Sequence, residues 1–524
     1  MKSAAGHVVH DNFGKPSTAD RYAQFQNYGK QVLSFVVLRL KSSSFKQELR
    51  ALILYNAPEE VGNVMFQNPI DAVIIGAGAA GLFAADRLNR AGLSFLVLEA
   101  DGRAGGRVQS RREIGSDLGL VLDEGANLIN STDTLAIGLL DRFAVPYVRR
   151  LPRGVDHMHY VLNGKSYDQA GMQQLLFRAG EPALSQMVRD QIVWEQDANR
   201  DIDPYFIAES IADYLKRIGA DRPLVTLLHS FFWSEYGRLL EELNLHVLFD
   251  YLKIDLTNKS FRLIPNADEA YTVPGGTGQI MAGLEAASHF HIKYGRRVFQ
   301  ITDKFKDHVV VECHNSQGEL ETYLAKVVLF AAPLHSLRDI LVSVSGVRRE
   351  SLSQARDVTY ARGTKLHMKF KTGFHKVYRY PGILLTDSGE QIWPSDTGQN
   401  GGGLMTVLTG PMSQTDEALA QRVRQILETL DTAAPGSSGF FVGVERSDAP
   451  MSYSGSLRPG EVAELAINKG SERWITMGEA SGGELQGYLE GAFRSAEEGT
   501  ARLIIQLQKA KTLQMMSAKS SLSV

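Results

Sequence analysis

The chain has 524 residues, 44% of them hydrophobic and 22% charged, with a net charge of −3. That length is too great for one simple core and predicts two or three interleaved domains of a globular protein. The charge argues for neither nucleic acid nor an acidic membrane surface, and the single cysteine, Cys313, excludes an intramolecular disulfide and a cysteine-rich metal site.

The opening, "MKSAAGHVVHDNFGKPSTAD", is polar and mixed and lacks the apolar core of a secretory signal. The apolar run Val32–Leu40 is interrupted by Ser34 and Arg39 and is far shorter than the ~20 residues that span a bilayer. The last stretch, "KAKTLQMMSAKSSLSV", is equally unsuited to anchoring. These features predict a cytoplasmic protein with no membrane span and no metal. Residues 1–68 carry apolar residues at helical spacing and read as a helical N-terminal extension. A packing arm, a homodimer contact and a cap over a catalytic domain are all open to it.

A short buried strand is predicted at Asp71–Ile75, a helix at Ala80–Ala91 and a second strand at Phe95–Glu99, which is the start of a βαβ unit. A turn-rich stretch over 115–150 leads to a helix, and 170–260 reads as largely helical. Strands return after "VPGGTGQI", in "HVVVECHN" and "KVVLFAAP", and "TKLHMKFK" alternates as a sheet strand does. A last helix is expected from Gly487 to about Lys509. Nucleotide-type elements at both ends predict a discontinuous dinucleotide domain built from 69–150, 261–345 and 461–508. A helical, substrate-binding insertion (151–260) and a substrate-domain sheet (346–460) are expected between them, with 509–524 as a tail.

Gly76, Gly78 and Gly81 make G-x-G-x-x-G between that strand and helix. The first glycine permits a sharp turn, the second leaves room for a pyrophosphate, and the third lets helix and strand pack closely. The free N–H groups of a helix start favour phosphate. Glu99, at the end of the second strand, stands where a carboxylate accepts a ribose hydroxyl, a placement compatible with NAD or FAD.

The next segment, "GRAGGRV", resembles the extension found in FAD enzymes of the glutathione-reductase-like superfamily. The resemblance implies that Gly102, Gly105, Gly106 and Arg107 run along the adenosine and pyrophosphate. Four further segments are similar to the flavin-dependent amine oxidases (monoamine, polyamine and L-amino-acid oxidases). They are "LDEGANLIN", "VPGGTGQI", "RRVFQI" followed by "KVVLFAAP", and "TMGEASGGELQGYLEGAFRSAEEGTARLI", and together they span about 70–505. The implied fold is α/β, a discontinuous Rossmann-like FAD-binding domain with an inserted mixed α+β substrate domain.

On that resemblance Val298 contacts the adenine, and Gly478 and Glu479 lie near the pyrophosphate and ribityl chain. Gly487, Tyr488, Glu490, Gly491 and Ala492 form the helix start facing the flavin pyrimidine. Lys365 is implied near flavin N5 through a water, and Tyr488 as one wall of an aromatic cage with Tyr453 as the second. The implied reaction oxidises an amine to an imine with non-covalent FAD and passes the electrons to O2, giving H2O2. Amino-acid oxidases anchor a substrate carboxylate where this chain has Asn127 and Trp393, and polyamine oxidases place a carboxylate where it has Asn130. Arg446 replaces a family tryptophan and could supply an anion site. The expected substrate is therefore a small apolar or aromatic amine. The competing readings are an L-amino-acid oxidase, a desaturase or protoporphyrinogen-oxidase-like enzyme, a dehydrogenase with a non-oxygen acceptor, and a catalytically dead flavoprotein acting in assembly.

Overall fold

Six residues, "IDAVII", form the first described strand, Ile70–Ile75, because a run buried on both faces suits a central parallel strand. The computed structural model describes residues 69–112, 119–150, 158–197, 208–263, 267–288, 291–303, 307–357, 360–371, 382–397, 402–413, 415–447, 450–453 and 471–521. The chain divides into two compact units, Met1–Val64 and Met65–Val524, and all the described residues belong to the second. The helices expected within 1–68 lie outside them.

The first strand pairs in parallel with Phe95–Leu98 on one side and Leu320–Phe330 on the other. Helix Ala79–Arg90 crosses between the first two, within a residue of its predicted bounds. Ile292–Lys293 adds a parallel edge beside Phe95–Leu98, and Trp474–Thr476 lies parallel to the last residues of Leu320–Phe330. The other half of that long strand turns into an antiparallel meander with Val309–His314 and Arg297–Thr302, and Leu341–Ser343 completes eight strands. Strands from residues 70 to 476 thus interleave in one sheet, as a discontinuous dinucleotide fold requires.

A second sheet of seven strands runs in the order Phe441–Ser447, Thr364–Phe370, Gly403–Thr409, Glu390–Thr397, Ile383–Thr386, Met158–Leu162, Lys165–Tyr167. Residues 158–167, expected inside the helical insertion, are therefore two of its strands. Side chains alternate across it. Leu366, Met368, Leu384, Ile392 and Val407 pack with helix Asp416–Ala433, whereas Tyr160, Leu385 and Trp393 pack with Gln169–Gln196 and Arg222–Tyr236 on the other face.

Helix Arg222–Tyr236 starts at Asp221, whose side chain accepts from Leu224 N, and stops at Gly237 in a left-handed conformation. Trp233 locks it onto the sheet: a Cβ at Gly410 or Gly389 would run into the indole. The last helix runs from Leu489 to Ser521, well past the predicted end near Lys509. Among the described residues no helix is long and apolar enough to cross a membrane.

Candidate active site

Two glycine turns brace each other at the carboxyl end of the first sheet. Gly76 holds φ +98°, and its N–H donates to Leu98 O at 2.9 Å. A Cβ on Gly81 would collide with the Gly76 carbonyl oxygen, so the close approach of helix and strand there requires glycine. Gly78 is different. Its φ is −74°, which any residue adopts, and an added Cβ would meet nothing within 4 Å. The second turn closes onto the first through Gly105 N, which donates to Ala77 O at 2.8 Å, and Gly106, where a Cβ would lie 3.3 Å from Gly78 Cα.

The open space beside Gly78 faces a helix start with no side-chain cap and no acidic residue in its first turn, so its N–H groups and partial positive charge remain available. Glu99 closes the corner by accepting from Ala77 N at 2.6 Å and Asp101 N at 2.9 Å. A dinucleotide pyrophosphate fits this arrangement. Val298 is buried in strand Arg297–Thr302, beside a bulge that separates it from Gln300 in the pairing.

Arg107 and Glu479, far apart in sequence, form a bidentate pair at 2.8 and 2.7 Å. Burial pushes the Glu479 carboxyl up, and the guanidinium more than offsets it, holding it below the usual range. Arg107 also lies over the Tyr360 ring, 5.2 Å from its centroid. Gly478, at φ +140°, precedes the short turn that carries Glu479. Glu490, in the first turn of the last helix, braces a neighbouring helix. It is fully buried and accepts from Leu135 N at 3.1 Å and Ala136 N at 3.0 Å, which makes it a cap for helix Thr134–Arg142.

Lys365 leaves the second sheet toward the turn Asp123–Gly125. Its Nζ donates to Gly125 O, and to Asp123 O at 3.3 Å, and lies 6.0 Å from the Trp393 ring centroid. Burial lowers this ammonium to about 8, opposed by the Asp123 charge. Burial likewise raises the Asp123 carboxyl to about 6, against hydrogen bonds from Ser110 and Thr277. Those bonds also fasten the glycine pair of "VPGGTGQI" here: Gly275 and Gly276 adopt φ +84° and +87°, and Gly278 N donates to Ser110 Oγ at 2.8 Å. Gly125 must be glycine, since a Cβ would strike the Arg107 carbonyl.

Tyr488 sits just before the last helix and packs, half-buried, against the cluster that contains Trp393. Burial raises its phenol well above the ordinary value, and Tyr251, Glu235, Glu269 and Asp133 add to the shift. Tyr488 and the Trp393 ring beside the lysine therefore belong to one aromatic cluster.

The family model for flavin containing amine oxidoreductase matches residues 79–504. The chain belongs to that family. A Bacillus subtilis protein provisionally named an L-amino-acid oxidase is 24% identical over 440 residues, covering 76% of this chain and 87% of that protein. Pseudooxynicotine dehydrogenase from a Pseudomonas species is 21% identical over 455 residues, covering 84% and 87%. Among solved structures, cyclohexylamine oxidase from Brevibacterium oxydans shares the fold, with a TM-score of 0.69 at 19% identity, covering 84% of this chain and all of that one.

FAD is the cofactor of this flavin amine oxidoreductase, and the corner at Gly78 has the room and the donors its pyrophosphate needs. The lone thiol, Cys313, is buried in strand Val309–His314, where burial pushes it up to about 11. No cysteine lies in the segment that carries the flavin link in monoamine oxidases, and the flavin is held non-covalently.

Two expectations about the substrate side change. Arg446 pairs with Leu366 across the strands and so shares the sheet face opposite Lys365. There its guanidinium donates to Ser413 O and Met412 O, at 2.6 and 3.2 Å, and it does not serve the site as an anion anchor. Asn130 does not leave the turn without a carboxylate. Its Oδ1 accepts from Glu269 N at 2.9 Å and brings in an acid from a different segment, with Glu269 itself at φ +43°. Burial raises the Glu269 carboxyl to about 7, Arg150 opposing. Glu235 and Glu269 belong to no motif and escaped the sequence reading. Asn127 lies half-buried on the turn between the strands Val121–Asp123 and Leu128–Ile129. Tyr453 pairs through its backbone with Tyr360, and its side chain lies outside what the structure describes.

Proposed function

We propose that this protein oxidises the C–N bond of an amine lacking an essential α-carboxylate to an imine, which water hydrolyses to a carbonyl compound, with O2 reduced to H2O2. FAD, when bound, takes a hydride equivalent from the α-carbon and hands the electrons to oxygen. The observation that carries the reading is Lys365, half-buried and held by carbonyl oxygens of the turn Asp123–Gly125 beside Trp393. An ammonium fixed there attracts charge developing on oxygen and orients a water for imine hydrolysis. Tyr488 and Trp393 offer aromatic faces that receive an amine without adding charge.

An α-carboxylate lacks its usual anchor, because Asn127 and Trp393 are uncharged and Arg446 is engaged on the opposite face. Arg150 is committed to Glu269, donating from Nη1 to its carbonyl at 3.2 Å. Anaerobic bleaching of the bound flavin by a panel of amines, followed by peroxide release in air, tests the proposal. A flavin that no amine bleaches would refute it. Bleaching without peroxide would replace oxygen by another acceptor.

A further inference from the structure

The strand that carries Lys365 presents a second polar side chain to the same face. Residues two apart on a strand point the same way, so Lys365, His367 and Lys369 share one face of Thr364–Phe370, and Leu366 and Met368 pack on the other. Lys369 ends in an ion pair. Its Nζ donates to Glu445 Oε1 at 3.2 Å, and Arg111 Nη2 donates to Glu445 Oε2 at 2.8 Å. Glu445 stands directly across the strands from His367, and both its oxygens are taken by those cations. His367 itself is wholly buried.

Its tautomer follows from the hydroxyls beside it. Ser395 Oγ donates to Leu404 O at 3.3 Å, and Thr406 Oγ1 donates to Ser395 Oγ at 2.9 Å. With its hydrogen spent, Thr406 Oγ1 can only accept from His367 Nδ1, 3.4 Å away, so Nδ1 carries the proton and Nε2 is a lone pair. Among the described residues nothing donates to that Nε2. Burial, helped by the charges of Lys365 and Arg111 and opposed by Glu445, lowers the imidazole to about 3, so it is neutral at ordinary pH. On the other side of Thr406 the mismatch is reversed. Trp393 pairs with Thr406 as His367 does, is 3% exposed, and has an indole Nε1–H with no acceptor among the described residues. Lys365 Nζ lies 6.0 Å from that indole ring. A buried acceptor, a buried donor and an ammonium on one face are the surroundings that hold an ordered water, which makes about three hydrogen bonds.

We propose that His367 is a positioning residue for oxygen reduction, its Nε2 accepting from an ordered water to which Lys365 donates, so that the water's second hydrogen is aimed at the reacting oxygen. The inference rests on the reading above that Lys365 serves the oxygen half of the reaction. Reduction of O2 to H2O2 takes two electrons and two protons. Both electrons and one proton come from the reduced flavin. The second proton comes from the water, which recovers it from the Lys365 ammonium, and solvent reprotonates the lysine. His367 keeps its own proton throughout and fixes the water.

A crystal structure of the oxidised holoenzyme should show an ordered water about 3 Å from His367 Nε2, a test that needs no variant. Stopped-flow reoxidation of dithionite-reduced enzyme should be about tenfold slower at neutral pH in His367→Phe, the scale of one hydrogen bond to a charged group. Its decline, expected above about pH 8 in the wild type, should begin about one pH unit lower, because the ammonium has lost part of its support. Asp123, the acid facing Lys365 from the turn, is left in place throughout. His367→Gln, which can still accept, should restore both the rate and the profile. No amine takes part, so failure here is separate from failure of amine oxidation, which bleaching by the amine panel reads. Absence of a water within hydrogen-bond distance of Nε2, or a His367→Phe enzyme whose oxygen rate and pH profile match the wild type, would overturn the proposal. An equal, pH-independent loss of rate in both variants would make His367 a packing residue only, and would overturn it too.

Discussion

Lys365 keeps its proton at neutral pH only narrowly, because burial holds its ammonium at about 8. Its charged fraction falls as pH rises through that value. Oxygen reactivity of dithionite-reduced enzyme should therefore decline above about pH 8, and Lys365→Met should be slow and flat across the same range while retaining flavin; stopped-flow reoxidation reads both. The glycines separate just as cleanly. Gly78→Val leaves an ordinary backbone undisturbed and fills the open corner, so the variant should fold, by circular dichroism, yet purify without flavin. Gly81→Ala drives a methyl into the Gly76 carbonyl and should lose the fold as well. The sharp turn at Gly76 and the close approach at Gly81 were legible because they depend on local backbone geometry written into a short motif. Glu235 and Glu269 were not, since Gln391 and Asn130, which hold them, are remote in sequence. Asn130 was misread for the same reason, its amide serving to hold another segment's acid.

Elements are joined at the site by a few side chains that reach between them. Arg107 and Glu479 tie the second glycine turn to the C-terminal turn, and Glu490 ties the last helix to Thr134–Arg142. Removing one member of a buried pair leaves the other unpaired, at about 3 kcal/mol. Glu479→Gln should lower the urea midpoint accordingly and weaken flavin retention, with a smaller loss in Arg107→Lys, which keeps charge but not the fork. The strand–helix–strand start was predicted within a residue or so because its hydrophobic period and glycines agree. The strands within 158–167 were missed because their partner, Ile383–Thr386, is remote in sequence. The face on which Arg446 lies follows from register with Leu366, which no single strand reveals.

At the scale of the whole molecule the protein should be yellow, and with no cysteine to link the flavin, acid should release its FAD and leave none on the precipitate. Substrate preference is the sharper test. A carboxylate brought beside Trp393 meets an uncharged indole, and Arg446 and Arg150 are engaged with backbone carbonyls. Tyramine should therefore exceed tyrosine in kcat/KM by about tenfold or more. A preference for tyrosine would return the protein to amino-acid oxidation.

The sheet order has a consequence for biosynthesis. Leu320–Phe330 is flanked by Ile70–Ile75 and Trp474–Thr476, so its core cannot be completed until nearly the whole chain has left the ribosome. A nascent polypeptide stalled near residue 470 exposes one edge of its central strand and leaves Arg107 without Glu479. Such a chain would be open to proteases and to chaperones through most of its synthesis. Flavin would be captured late, as the event that follows emergence of the last helix, and not as a nucleus around which the first βαβ unit folds.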